Sequence, residues 1–209
     1  SRVSTGSNNV AIGKDALLVN TTGAGNTAVG TYALDDNTTA DGNTALGYAA
    51  LSGANTGTAN IAVGVNALLV NTSGSYNVAM GSYALDAVST GTSNIGIGYT
   101  ALSTVTTGTN NVGIGHAALV VNTASNNVAI GYQTMDSTTT GDNNTAVGAY
   151  AMSAHTTATY NVAIGRSALD ATTTGGGNIA IGFDALGKSV AGYSNVAIGY
   201  ACMEDANGS

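Results

Sequence analysis

The stretch Asn127-Val128-Ala129-Ile130-Gly131 returns along the whole chain with small changes, and it decides the fold. Successive copies lie 17 residues apart, except for one step of 16 residues, from the seventh copy to the eighth. A repeat this short cannot bury a core alone, so stacking of neighbouring repeats must stabilise it. The spacing predicts an all-β fold, a parallel β-solenoid (β-roll) that forms a single repeat domain over residues 1–209. Its twelve repeats begin at Asn9, Asn26, Asn43, Asn60, Asn77, Asn94, Asn111, Asn127, Asn144, Asn161, Asn178 and Asn195.

Each column of the repeat has a constant chemistry. Val, Ile or Thr follows the Asn, then Ala or Gly, then an aliphatic residue, then Gly in all twelve copies. Leu or Met is the eighth residue after the Asn. Because residues two apart on a strand share a face, we expect the first and third residues to point into the coil, with Leu or Met closing the core from a second short strand. The Gly fits a corner that needs positive φ, and the stacked Asn side chains predict an amide ladder.

The small residue in the middle of each strand is then expected to point away from the coil's own core. A flat row of Ala and Gly lets another sheet approach closely, and the simplest partner is the same face of other copies of the chain. The alternative is an Ala row that is merely exposed. The predicted oligomer contacts are Ala11, Ala28, Ala45, Ala62, Ala79, Gly96, Gly113, Ala129, Ala146, Ala163, Ala180 and Ala197.

A slower period of three repeats overlies the short one. It is visible in Leu17–Asn20, Leu68–Asn71 and Leu119–Asn122, and a similar step separates Asp35, Asp86 and Asp136. One interpretation is duplication of a three-repeat block, with one repeat in each turn of the solenoid. The other is structural: three repeats could form one large triangular turn.

Composition excludes several classes of partner. The net charge is −7 with only four Lys and Arg residues, too few to neutralise nucleic-acid phosphates or to hold an anionic membrane. No apolar run is long enough to span a bilayer, so we expect no membrane insertion by this segment.

We also expect no enzyme activity, no metal and no cofactor. The stretch Gly182–Ser189 matches the phosphate-binding P-loop pattern, but no helix pattern follows it and its Gly is the repeat's own. His116, His155 and the single Cys202 show no metal-ligand spacing, and the calcium-binding repeat of other solenoids is absent.

Aromatic residues cluster just after the repeat Gly, near a predicted corner. Their rings could stack on a sugar or on a partner protein. The alternative is that they cap the edge of the coil or fill a groove between chains. These residues are Tyr32, Tyr48, Tyr83, Tyr99, Tyr132, Tyr150, Phe183 and Tyr200.

The repeat resembles known fibre proteins. Asn127–Gly131 and Asn161–Gly165 resemble the head repeats of YadA-like trimeric autotransporter adhesins. Asn26–Gly30 together with Asn20–Gly23 is similar to the N-T-A-V-G…A-L…N-T-T-G repeats of phage tail-fibre-like proteins. The resemblance implies a left-handed β-roll packed side by side as a homotrimer. This chain has a longer repeat than the adhesin heads, and we expect no neck, stalk or anchor among these residues.

The expected function is that of a structural or adhesive fibre segment, a rigid rod for attachment that is extracellular and displayed on a cell or virion surface. Its partners would be itself and a host-surface glycan or protein. A first alternative is a subunit of a self-assembling filament, since solenoid ends expose unpaired strands. A second is an ice-binding solenoid that uses Thr rows such as Thr21-Thr22 and Thr156-Thr157.

Overall fold

The computed structural model describes residues 5–121, 123–138, 140–154, 156–171, 174–188 and 192–203. Within these ranges the strands form one twelve-stranded parallel sheet in chain order. None of the described residues belongs to a helix that is long and apolar enough to cross a bilayer. The strands are β1 (Val10–Ile12), β2 (Thr27–Val29), β3 (Thr44–Leu46), β4 (Ile61–Val63), β5 (Val78–Met80), β6 (Ile95–Ile97), β7 (Val112–Ile114), β8 (Val128–Ile130), β9 (Thr145–Val147), β10 (Val162–Ile164), β11 (Ile179–Ile181) and β12 (Val196–Ile198).

The strand register shows that one repeat makes one turn, which we call a rung. Val10 pairs with Thr27, the equivalent residue of the next repeat. The short step leaves this register intact, because Val112 pairs with Val128. The predicted parallel β-solenoid is therefore confirmed, and the triangular turn of three repeats is wrong.

The strands alternate as expected, but the two faces are opposite to those predicted. The middle residue is inside: Ala28 and Ala129 are 0% exposed, whereas Leu46 and Ile164, in rungs covered on both sides, are 48% and 41% exposed. The first and third residues thus point out of the coil. The Ala column cannot form the predicted contact surface, because eleven of its twelve residues line the interior. Only Ala11 of this column, in the first rung, is exposed. The eleven interior residues are Ala28, Ala45, Ala62, Ala79, Gly96, Gly113, Ala129, Ala146, Ala163, Ala180 and Ala197.

The narrow interior explains this reversal. A Cβ placed on Gly96 would lie 3.0 Å from Cγ of Leu85, and one on Gly113 would lie 3.0 Å from Cγ of Leu102. The coil therefore has room for Ala or Gly opposite the Leu, but for nothing larger. The prediction that the core Leu comes from a second short strand is wrong. The core Leu lies in a turn, with a φ of 56° at Leu102.

The repeat Gly stands at a corner where neighbouring rungs approach closely. Its φ lies between 128° and 142° in the twelve copies, which confirms the predicted positive φ. Backbone hydrogen bonds run from rung to rung on both sides of this corner: Gly30 N donates to Ile12 O at 2.7 Å. A Cβ on Gly30 would lie 2.3 Å from Gly47 O, so the corner excludes every side chain.

The Asn side chains form the predicted ladder along the axis. Asn94 N donates to Asn77 Oδ1 at 2.9 Å, and Asn111 N donates to Asn94 Oδ1 at 3.0 Å. Asn94 Nδ2 also donates to Gly108 O at 2.8 Å. Each fully buried Asn therefore ties its own rung to both neighbours, which satisfies backbone groups that would otherwise be buried without partners.

Replacing a corner Gly should destabilise the rod far more than replacing a turn Gly. We expect Gly30→Ala to lower the free energy of unfolding by about 3 kcal/mol, because the new Cβ clashes with Gly47 O. Gly25 has a φ of 67° and only Gly42 N, at 4.0 Å, near its Cβ position, so Gly25→Ala should cost about 1 kcal/mol. Urea unfolding followed by circular dichroism measures both. Equal losses would contradict the close approach of rungs.

Removing one amide from the ladder should also be costly. Asn94→Ala leaves the buried Asn111 N–H without its acceptor, and we expect a loss of about 2 kcal/mol of unfolding free energy. Asn110 is exposed with a φ of 58°, which suits Gly, so Asn110→Gly should change stability by less than about 0.5 kcal/mol. The same urea titration compares the two variants, and a loss in Asn110→Gly as large as in Asn94→Ala would count against the ladder.

Candidate functional site

The first and third residues of the strands form one continuous surface, which we call the apolar face. It is 24 residues, of which three are Thr and the others are aliphatic, and none is charged. Its first column is Val10, Thr27, Thr44, Ile61, Val78, Ile95, Val112, Val128, Thr145, Val162, Ile179 and Val196. Its second column is Ile12, Val29, Leu46, Val63, Met80, Ile97, Ile114, Ile130, Val147, Ile164, Ile181 and Ile198.

The size and flatness of the apolar face set it apart from ordinary surface. Rungs about 4.8 Å apart make it about 50 Å long. Ten of its aliphatic side chains are at least 37% exposed. A soluble monomer seldom exposes a contiguous apolar patch of this extent, and such patches usually mark contacts with a partner. A sheet face that stays in water normally carries polar side chains, and this one has none beyond Thr27, Thr44 and Thr145. The arrangement is therefore suited to association.

The eight aromatic residues predicted from the sequence come together along the corner that follows the repeat Gly. We call this row the aromatic strip. Its rings pair across neighbouring rungs: the ring centroids are 5.8 Å apart in Tyr32–Tyr48, 6.0 Å in Tyr83–Tyr99, 5.4 Å in Tyr132–Tyr150 and 5.2 Å in Phe183–Tyr200. The alternative interpretation, that these rings cap the edge of the coil, agrees with these contacts. It does not exclude a ligand, because several of the rings remain exposed.

Three basic residues, Lys14, His116 and Arg166, also belong to the strip. They were not predicted from the sequence. The His116 ring stacks between Tyr99 and Tyr132, with centroids 5.4 and 5.1 Å away. Lys14 Nζ lies 5.6 Å from the centroid of the Tyr32 ring and donates a hydrogen bond to the Tyr32 hydroxyl, which raises the pKa of Lys14. The sequence feature that could have identified the basic residues is their position, directly after the repeat Gly.

Arg166 occupies the same position in the tenth rung. Its guanidinium carbon lies 5.6 Å from the centroid of the Phe183 ring in the next rung. This distance is within the range of a cation–π contact. The strip thus contains cations packed on rings as well as rings packed on rings.

The P-loop match does not have P-loop geometry. Gly182 follows β11 at a φ of 133°, and Asp184 and Leu186 have φ of 56° and 52°, so the segment is a solenoid turn. A P-loop needs a helix whose first N–H groups face the phosphates, and the described part of this segment has no helical residue. Ser189, the last residue of the match, lies outside the described residues.

The remaining chemical candidates do not assemble into a site. Among the described residues, no three His, Cys, Asp or Glu side chains are grouped so that they could hold a metal ion. His116 is part of the aromatic strip, and Cys202 is half-buried in the column that is otherwise Ala or Thr134. His155 lies outside the described residues.

Hydroxyl groups of the Thr rows have a structural use between neighbouring rungs. The hydroxyl groups of Thr21, Thr56 and Thr72 donate to backbone carbonyls of the following rung at 2.8 to 2.9 Å. Those hydroxyls are therefore not an outward lattice that could match ice, and the ice-binding alternative gains no support from them.

The Asp residues of the three-repeat period lie at one turn position, nine residues after the repeat Asn. The preceding rung has Leu or Val at that position and the following rung has Ser. Burial raises the pKa of Asp35, Asp86 and Asp136 above that of an ordinary Asp. Asp35 Oδ1 is also buried without a hydrogen-bond partner. Each of these carboxylates therefore costs stability when it is ionised.

No protein-family model, no curated protein and no solved structure matches this chain.

The half-buried Asp35, Asp86 and Asp136 predict that the rod becomes more stable as the pH falls. Their folded-state pKa exceeds the unfolded value, so the folded state binds more protons in that interval and stability rises as pH drops through the folded pKa. We expect Asp86→Asn to raise the melting temperature at neutral pH and to flatten this rise. Thermal melts from neutral to mildly acidic pH measure it.

The control for this experiment is Asp184→Asn, which removes one negative charge from another half-buried turn. It should shift the melting temperature without flattening its pH dependence. A melting temperature of the unmodified chain that falls steadily from neutral to mildly acidic pH would contradict the assigned cost of these carboxylates.

Proposed function

We propose that this chain is a rigid segment of a surface fibre, and that it works as a structural and adhesive rod in association with copies of itself. The observation that carries the proposal is the uncharged apolar face along the solenoid. The backbone of each rung is hydrogen-bonded to its neighbours along the axis, which gives a stiff rod without a bulky core. Such a rod provides reach and repeated surface, which are the properties an attachment fibre needs.

Another copy of the chain is the partner that suits the apolar face best. Every rung presents the same two aliphatic positions, so two rods can lie side by side with matching length, spacing and chemistry. Burial of apolar area at about 25 cal/mol per Å² makes a contact along twelve rungs strongly favourable. The resemblance to trimeric adhesin heads favours three copies, and the contact would run through Val, Ile, Leu, Met and Thr rather than through Ala.

The adhesive part of the proposal rests on display of repeated groups, not on a pocket. Like side chains recur at one position from rung to rung, so binding would be multivalent and weak at each site. We propose an extracellular location on a cell or virion surface and no catalytic turnover. Catalysis requires different chemical groups that converge in a sheltered cleft, whereas a regular row of turns presents like groups side by side.

Neighbouring residues on one strand test this proposal. Ile130 lies on the apolar face, so Ile130→Glu should dissociate the assembly and leave the β spectrum intact, because a charge in that contact is strongly desolvated. Ala129 is fully buried inside the rung, so Ala129→Glu should instead unfold it. Sedimentation analysis at micromolar concentration and circular dichroism distinguish the two effects.

Thr107→Glu is the matched control, because it adds the same charge at an exposed position outside the strands that form the apolar face. It should leave both mass and spectrum unchanged. An unmodified chain that sediments as a monomer at micromolar concentration would overturn self-association through the apolar face.

A further inference from the structure

The three-repeat period has no role in forming the turns, because one repeat makes one rung. Along the aromatic strip, however, this period orders the chemistry. In each block of three rungs, the first rung contributes Lys, Val, His or Arg to the strip. The next two rungs contribute a pair of Tyr or Phe rings. The blocks are Lys14 with Tyr32 and Tyr48, Val65 with Tyr83 and Tyr99, His116 with Tyr132 and Tyr150, and Arg166 with Phe183 and Tyr200.

The ring pairs of the first three blocks share one geometry. The ring planes cross at 86° in Tyr32–Tyr48, at 83° in Tyr83–Tyr99 and at 72° in the pair of the third block. In such an edge-to-face pair, one ring uses only its edge, so both of its faces stay free of the pair partner. Each of these three blocks therefore leaves tyrosine hydroxyls and part of its ring surface open, although the His116 ring covers one face of Tyr99 and one face of Tyr132.

The rings are also accessible along the rod. Tyr48 is 52% exposed and Tyr99 is 53% exposed. Three rungs rise about 14 Å, so the strip repeats an aromatic pair at that interval four times along one straight edge. A monomeric rod needs no such spacing, since the Leu and Ala of each rung already close its core.

We propose that the aromatic strip is a binding site for a linear, neutral polysaccharide that lies along the rod axis. The flat C–H faces of pyranose rings stack on exposed aromatic faces, and tyrosine hydroxyls accept and donate hydrogen bonds to sugar hydroxyls. Successive sugars of an extended chain would meet successive rungs. Every third rung would return an aromatic pair, which is edge-to-face in the first three blocks and stacked in Phe183–Tyr200.

Periodicity along a straight line favours a polysaccharide over other ligands. The surface of an ordinary globular protein does not repeat at a fixed interval, whereas a regular glycan does. Nucleic acid is disfavoured by the net charge of −7. An acidic polymer is disfavoured because Lys14 pairs with Asp15 at 3.8 Å and its ammonium group is packed on Tyr32, so the cation is already compensated.

This inference rests on the proposed adhesive function and specifies its ligand class. The strip follows the corner Gly and so lies at the margin of the apolar face. Association and glycan binding are therefore measured separately: sedimentation mass reports the apolar face, and glycan titration reports the strip.

The test titrates the associated full chain with cellodextrins, maltodextrins and soluble linear mannan, with alginate as the acidic comparison. The chain has no Trp, so tyrosine fluorescence and calorimetry report binding directly. We expect binding to one neutral glycan series, with at least a roughly tenfold gain in affinity when the oligomer is long enough to span a second block. The double variant Tyr48→Ala, Tyr99→Ala should lose about tenfold in affinity for that glycan and keep its sedimentation mass.

The control removes two tyrosines that are more exposed than Tyr48 and Tyr99 and lie at another corner. Tyr76 and Tyr160 are 65% and 68% exposed and lie before the repeat Asn, so Tyr76→Ala, Tyr160→Ala should bind the glycan as the unmodified chain does. The proposal is overturned if no neutral glycan binds, if alginate alone binds, if affinity does not grow with chain length, or if the control variant loses as much affinity as the strip variant. A monomeric mass with intact glycan binding would overturn only the proposed self-association.

Discussion

The width of the coil is the constraint on which the rest of this structure depends. Leu or Met fills the interior from one side, and the strand opposite has room only for Ala or Gly, as the 3.0 Å approach between a Cβ on Gly113 and Leu102 shows. The larger aliphatic residues of the strand must then point outward. A narrow, closely stacked rod is stabilised from rung to rung by the Asn ladder, and it carries on its outside the apolar surface that a globular domain would bury.

Much of the architecture follows from the sequence, and the part that does not has a physical cause. Strict spacing predicts one parallel solenoid, the constant Asn predicts the ladder, and the constant Gly predicts a corner at positive φ. The predicted orientation of the strand was wrong, because alternation with a period of two indicates which residues share a face but not which face lies inside. Steric room decides that, and it depends on the backbone separation across the coil. Two substitutions were the available clue, since Gly96 and Gly113 replace Ala with something smaller, never with something larger.

The candidate surfaces were predictable to different degrees. The aromatic residues were identified because they share a position after the Gly, but Lys14, His116 and Arg166 were not, since their side chains differ from one another and only stacking of rungs brings them onto the rings. The perimeter of each rung is thereby divided: the strand provides a surface for association, the corner provides an aromatic edge, and the turn provides hydroxyls and carboxylates. Only the corner and turn vary with the three-repeat period, because the core of each rung tolerates no such variation.

The central claim, that the outward aliphatic face is covered by another copy, can be tested on the methionines of the unmodified chain. Met80 lies on the apolar face and is 43% exposed in a single rod, Met203 is 40% exposed at a turn, and Met135 and Met152 are fully buried in the core. Peroxide oxidation followed by peptide mass spectrometry measures the rate at each sulfur. The account predicts that Met203 oxidises fast while Met80 is protected nearly as well as Met135. Oxidation of Met80 at the rate of Met203 would contradict it.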